Sequence, residues 1–246
     1  MKKTIIALFA LAGIASADAI LSTDFTTEST DWTVGQWNGW DTPQFVYGEN
    51  GAVVNKPWKQ NTLTTTVGMP SGIGYTITFT TFGDGNEQAA MFFLTSSTDN
   101  YSIVMGNSYN SNSFISIGTL DSAIVDRTQQ SGQTTQGLVS FQTGHGHVNP
   151  TVLATSGDAF TTTFVPLTYT VTLKDSAMGV TVTDGTKTWS QNVAVQSGVT
   201  FDKVGFILDS QVGHSGVKSI LITPEPATAT LSLLALAGLA ARRRRH

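Results

Sequence analysis

The chain contains no cysteine among its 246 residues, which excludes disulfide staples, thiolate metal sites and a thiol nucleophile. Charge is also scarce, with Asp, Glu, Lys and Arg together supplying 12% of the residues. Glutamate occurs only as Glu28, Glu49, Glu87 and Glu225. None stands in a Glu-x-Asp-x-Glu strand pattern, which would turn alternate carboxylates into one cleft for glycosyl hydrolysis. Another Asp/Glu pair meeting in space keeps hydrolysis as the enzymatic alternative. There is no Gly-x-Ser-x-Gly elbow and no phosphate-cradling glycine loop before a helix, so no catalytic residue is assigned. Between the two ends the sequence also lacks an amphipathic helix, an internal repeat and a composition break that would mark a second domain.

The two ends are different in kind. Residues 1–17, MKKTIIALFALAGIASA, place Lys2 and Lys3 before an apolar stretch and close on Ala15-Ser16-Ala17. That is the order of a secretory signal peptide with a small-residue cleavage site. Residues 224–246 read PEPATATLSLLALAGLAARRRRH. The uncharged run from Ala227 to Ala241 would reach about 22 Å as a helix, short of a ~30 Å hydrocarbon core. Arg242, Arg243, Arg244 and Arg245 would hold that end on the cytoplasmic side, and their stems can snorkel to extend the span. Pro224 and Pro226 stop a helix from running back into the preceding domain, and predict an extended, accessible backbone at Glu225.

Pro224-Glu225-Pro226, a short apolar helix and the Arg242–Arg245 cluster resemble the PEP-CTERM sorting signal of Gram-negative bacteria. The resemblance implies recognition and removal by an exosortase-type membrane protease, with transient membrane insertion and a destination at the cell surface or in the extracellular polymeric matrix. Thr228, Thr230 and Ser232 make the span weakly hydrophobic, which suits a transient sorting intermediate. An uncut C-terminal anchor is the alternative.

Removing Lys2, Lys3 and the four terminal arginines from the 13 basic residues leaves 7 against 17 acidic ones, a net charge of −10. Nucleic acid is therefore excluded as a partner, since phosphate binding needs clustered Lys and Arg. The remaining roughly 200 residues, 18–223, are enough to bury a core without covalent staples.

That middle region reads as antiparallel β. Tyr75 to Thr80, Tyr169 to Leu173 and Val180 to Thr183 alternate apolar residues with threonine, the period of a strand with one buried face. Asp184-Gly185 follows directly and predicts a short hairpin turn into Thr186 to Trp189. Further strands are expected at 90–94, 101–105, 114–117, 138–141, 204–208 and 217–222. So many short strands separated by Gly, Asn, Asp and Ser predict an all-β, antiparallel two-sheet sandwich. The whole chain is then a signal helix (1–17), a sandwich (18–223) and a membrane-spanning sorting segment (224–246). YTITFTTF, AAMFFLTSSTDNYSIVMG, YTVTLKDSAMGVTVTDGTKTW and KVGFILDS, in that order, resemble the concanavalin A-like, laminin-G-like jelly roll. That resemblance implies glycan binding or surface adhesion, with some members acting as glycosidases; fold alone does not choose among them.

Metal candidates are thin. His145 and His147 in TGHGH would share one strand face, with His214 or a carboxylate as a third ligand, but the flanking glycines favour a loop. Gly83-Asp84-Gly85-Asn86-Glu87 alternates oxygen ligands yet is too short for an EF-hand and reads as a turn. No metal or cofactor is expected. The aromatic candidates are Trp32, Trp37, Trp40 and Trp58, which stand near Gln36, Asn38, Asp41 and Gln44. Exposed indoles stack on sugar rings while amides and carboxylates meet their hydroxyls. The opposing expectation is that such tryptophans fill the core. The sequence thus predicts an exported, non-catalytic surface or matrix protein that binds a polysaccharide, with a purely structural matrix role as the alternative.

Overall fold

The computed structural model describes residues 18–36, 45–54, 59–83, 89–107, 114–127, 139, 141, 148–157, 160, 165–210 and 215–225. The expected signal helix and the span after Glu225 lie outside them. Among the described residues no helix is long and apolar enough to cross a membrane.

Among the described residues fifteen strands form two antiparallel sheets. One sheet contains β1 (Leu21–Thr23), β3 (Phe45–Gly48), β4 (Gly51–Val54), β6 (Tyr75–Phe82), β11 (Leu167–Lys174), β12 (Ala177–Thr183), β13 (Thr188–Ala194) and β15 (Gly216–Pro224). Its order is β13-β12-β11-β6-β15-β4-β3, with β1 also paired to β15. The other contains β2 (Thr33–Gln36), β5 (Lys59–Met69), β7 (Ala89–Ser96), β8 (Tyr101–Asn107), β9 (Ile115–Leu120), β10 (Thr151–Thr155) and β14 (Phe201–Ser210), in the order β10-β9-β8-β7-β14-β5-β2.

The two sheets differ in what covers them, and their sequences differ accordingly. In β6 every second residue is buried, Tyr75, Ile77, Phe79 and Thr81, and β11 buries Leu167, Tyr169, Val171 and Leu173. The threonines between them face away from the core, so this sheet has an open face. In β7 residues 90–96 are all buried. One side of the second sheet joins the inter-sheet core through Phe92, Leu94, Phe206 and Leu208, whereas Met91, Phe93, Val104 and Ile207 form a second cluster with Leu120, Val125 and Val139. Val125 belongs to α1 (Ser122–Arg127), a short helix absent from the sequence expectation. Asp121 caps it, its Oδ1 accepting the Ala123 N–H at 2.8 Å. Of the strand expected at 138–141 only Val139 and Phe141 lie within the described residues, and Val139 makes an isolated bridge to Val148.

The inter-sheet core is organised around stacked rings. Phe79 lies between Phe92 and Tyr169, with centroids 4.4 and 4.5 Å apart, and Phe206 meets Phe79 edge-on at 5.8 Å. Each such pair contributes about 0.5–1.5 kcal/mol beyond the area it buries.

The hairpin between β12 and β13 forms where the sequence predicts it, but with four residues rather than two, because Thr183 pairs with Thr188. Asp184 organises the loop: its Oδ1 accepts the N–H groups of Thr186 at 2.8 Å and Lys187 at 2.6 Å, and the Thr186 hydroxyl at 2.8 Å. Those donors, the Lys187 amide foremost, hold its carboxyl below the usual range. Gly185 takes the left-handed φ of +89° that the turn requires.

Candidate functional site

The proposed aromatic platform fails at its first member. Trp32 is a core residue, 6% exposed, packed against Phe25 at 4.8 Å and donating its indole N–H to Thr23 Oγ1 at 3.0 Å. An indole with both faces covered offers no surface to a sugar ring, and the core demand for large residues is what claimed it. Trp37, Trp40 and Trp58 lie outside the described residues, as do His145, His147, His214 and Asp84 to Glu87. Among the described residues no group of three His, Cys, Asp or Glu is placed to hold a metal ion.

Asp99, on the turn between β7 and β8, and Asp202, at the start of β14, are occupied in holding that turn and its neighbours. Asp99 Oδ2 accepts the Ser96 hydroxyl at 2.8 Å and the Thr200 N–H at 3.3 Å, and Asp202 Oδ2 accepts both donors of Ser97. The cleft beside Met69, Tyr75 and Phe201 holds about 20 Å³, enough for about one water and too little for a sugar.

Pro224 and Glu225 are described, and they correct one expectation. The backbone there is extended, but it is not free: Pro224 pairs with Tyr75 as the last residue of β15, and the Glu225 N–H donates to Gly74 O at 2.7 Å. Glu225 is half-buried, its side chain lying over the bare Cα of Gly74. Pro226 and Arg242 to Arg245 lie outside the described residues.

The feature that sequence reasoning missed is the open face. Cross-strand register sets its exposed positions in rows. The first row runs Thr188, Thr183, Thr168, Thr80, Ser219. The second runs Ser190, Thr181, Thr170, Thr78, Leu221, and continues to Ser22 on β1. The third runs Asn192, Gly179, Thr172, Thr76, Thr223. Strand geometry spaces neighbours in a row by about 4.8 Å and successive rows by about 6.7 Å. No position in these rows is ionisable.

Some hydroxyls are tied to each other: Thr80 Oγ1 lies 3.2 Å from Thr168 Oγ1, and Thr181 Oγ1 lies 3.0 Å from Ser190 Oγ. Thr78, Thr170 and Thr172 make no side-chain hydrogen bond with another described residue, which leaves their hydroxyls to solvent or a ligand. Toward β13 the face opens into a shallow hollow of about 420 Å³ lined by Thr170, Thr172, Gly179, Thr181, Ser190 and Asn192. Glycine lets the lining close in: a Cβ at 179 would stand 2.8 Å from Thr172 Oγ1 and 3.0 Å from Asn192 Oδ1, closer than carbon and oxygen can pack. With Val180 and Gln191 completing the lining, it offers hydroxyl donors and acceptors and two side-chain amides, those of Gln191 and Asn192, and no carboxylate. The Thr-x-Thr runs were visible in the sequence as strand alternation. Their alignment across strands was not, because register is fixed by pairing.

No protein-family model matches the sequence, and no curated protein does. Solved structures match the fold. A protein of unknown function with a galectin-like fold from Bacillus subtilis superposes with a TM-score of 0.56 at 8% identity, covering 85% of this chain and 96% of its own. The carbohydrate recognition domain of Emp46p in its potassium-bound form gives 0.54 at 12% identity, covering 83% and 95%. The CBM2 module of an evolved Dit from Lactobacillus casei BL23 phage J-1 gives 0.53 at 11%, covering 84% and 95%. The described chain thus has the two-sheet sandwich fold of these structures, the first of them named galectin-like, and at such identities the likeness concerns the fold alone.

Proposed function

We propose that this is an exported, non-catalytic carbohydrate-binding protein of the bacterial surface or extracellular matrix, delivered through a PEP-CTERM-type tail and an exosortase-type protease. The observation that carries the binding reading is the neutral, hydroxyl-lined face with its hollow over Gly179. Sugars present hydroxyls that both donate and accept, and Thr170, Thr172, Ser190 and Asn192 can answer either way without placing a charge in the contact. The hollow has no acid to protonate a leaving oxygen and no second carboxylate to attack, which supports binding without cleavage. The lectin-like fold agrees with this reading, as does the carbohydrate recognition named for Emp46p.

Glycan-array binding of the purified protein tests it, with Asn192→Ala as the local variant. A glycan bound by the parent and lost in Asn192→Ala supports the reading. Absence of any bound glycan overturns it in favour of a structural matrix role. Trp37, Trp40 and Trp58 are proposed as auxiliary stacking residues. Trp37→Ala and Trp40→Ala should weaken glycan binding roughly five-fold or more, about 1 kcal/mol or above, at unchanged melting temperature; full retention of binding removes them from the contact. For the tail, intact mass of the surface-exposed protein from its native host should lack Arg242 to Arg245. Recovery of a major surface form that still carries them would replace processing with a stable anchor.

A further inference from the structure

The rows on the open face speak to the shape of the sugar polymer as well as to its class. We infer that this face takes an extended, neutral, β-linked polysaccharide lying across the strands, about one sugar residue over each strand; this rests on the glycan-binding reading above. The second row presents Ser190, Thr181, Thr170 and Thr78 on four successive strands, and the first row presents a hydroxyl on five. Strands lie about 4.8 Å apart, close to the advance per residue of a pyranose chain stretched into a β-linked ribbon. A chain crossing the strands therefore meets a Thr or Ser at every step along the first row, and over four strands of the second before reaching the apolar Leu221. An α-1,4-linked glucan coils, advances less per residue and falls out of step within a few strands.

Charge narrows the class. The rows carry no ionisable side chain inside a chain that is acidic overall, and Lys174 and Lys218 stand only at the borders. A uronic acid or phosphate polymer finds no cation within the rows, whereas a neutral polyol loses no charge solvation on contact. Twist narrows it further. Adjacent strands rotate by about 20°, so the rows are not a flat lattice and do not suit a rigid crystal face such as ice. A single polysaccharide chain can follow that rotation through small torsions at each linkage. At the β13 end, Thr172 Oγ1 and Asn192 Oδ1 lean together over the bare Cα of Gly179, which places two side-chain oxygens side by side for one sugar residue to meet.

Each exposed hydroxyl exchanges a water contact for a sugar contact with little net gain, so binding strength has to accumulate along the chain. The test is calorimetric titration of the full-length protein with β-1,4-linked oligomers of glucose, N-acetylglucosamine and mannose, from dimer to hexamer, with maltohexaose as the coiled control. Affinity for one β-linked series should climb with each added residue and level off at about five, the number of strands in the rows. Maltohexaose should bind at least ten-fold more weakly. Thr170→Val and Thr78→Val keep side-chain shape and strand propensity, so each should lower hexamer affinity several-fold without moving the melting temperature. If one of them melts early, the other carries the comparison. Equal affinity for dimer and hexamer, equal binding of maltohexaose, or hexamer binding untouched by both variants would each overturn the extended-chain inference while glycan binding stands. Failure of all three series overturns it too, and failure on the array besides removes the glycan reading itself. Inhibition of ice recrystallisation without sugar binding, lost in Thr170→Val, would reassign the rows to ice.

Discussion

Trp32 and Tyr169 are both large aromatics with a polar end, yet they meet different fates in the core. Trp32 finds Thr23 for its N–H. Replacing it by alanine should cost about 3–5 kcal/mol in chemical denaturation, while leaving bound glycan unchanged in the fraction that remains folded. A cost below about 1 kcal/mol, in the range of ordinary surface substitutions, would place the ring outside the core. Tyr169 is fully buried, and its hydroxyl has no geometrically sound hydrogen bond, although the Thr81 hydroxyl lies near enough to ease its ionisation slightly. Burial pushes the phenol far above its usual range, because the phenolate cannot be solvated there. Below about pH 10 both folded and unfolded states hold the proton and Tyr169 contributes no pH dependence. Above it the unfolded chain releases the proton and the folded chain does not, so stability falls with rising pH. Tyr169→Phe should therefore match or exceed the parent at neutral pH and unfold at a higher pH in an alkaline titration monitored by circular dichroism. An unchanged alkaline midpoint would assign that transition to other groups.

At the level of elements, legibility followed solvent contrast. β6, β11 and β12 were readable because one face of their sheet meets water and threonine alternates with apolar residues. In β5, Asn61, Thr62, Leu63 and Thr64 are all buried, so polar letters sit where hydropathy expects apolar ones, and the strand escaped notice. β10 escaped for the opposite reason: it is an edge strand with its residues mostly exposed, including Val152 and Leu153, and only the small Ala154 packs against the core. The candidate site was half-legible. Its threonines were seen, but Ser190 and Asn192 gain meaning only from standing beside Thr181 and Gly179 in register.

Two glycines separate conformational strain from crowding at this scale. Gly51 and Gly185 both hold positive φ, +82° and +89°. A Cβ at 185 meets open space, whereas one at 51 would run into the Val217 carbonyl of the neighbouring strand. Gly185→Val should cost upward of about 1 kcal/mol from strain alone. Gly51→Val should cost clearly more, since β4 would have to leave β15. Equal melting temperatures for the two variants would show that the β4–β15 contact contributes nothing to stability.

Across the whole molecule, protection from hydrogen exchange should map the sheet order. β14 lies between β7 and β5, and β15 between β6 and the β1 and β4 strands, so their amides are paired on both sides. They should exchange only through global opening, while β10 and β13, each at a sheet edge, open locally and exchange sooner. Faster exchange in β15 than in β13 would contradict that order.

The same arrangement sets a schedule for any route that delivers the chain N-terminus first through a narrow passage. Among the described residues thirteen strands emerge before β14 and β15, yet those two occupy interior places, one in each sheet. Until they arrive, β6 and β4 have no strand between them, and neither have β7 and β5, so each sheet waits as two separate halves with bare edges. The sandwich therefore closes late, after the last few dozen residues are free to move, and a partly delivered chain stays slack enough to keep threading. Closure and the release of the segment just before Pro224 become a single event, which ties the end of transport to the start of the folded state.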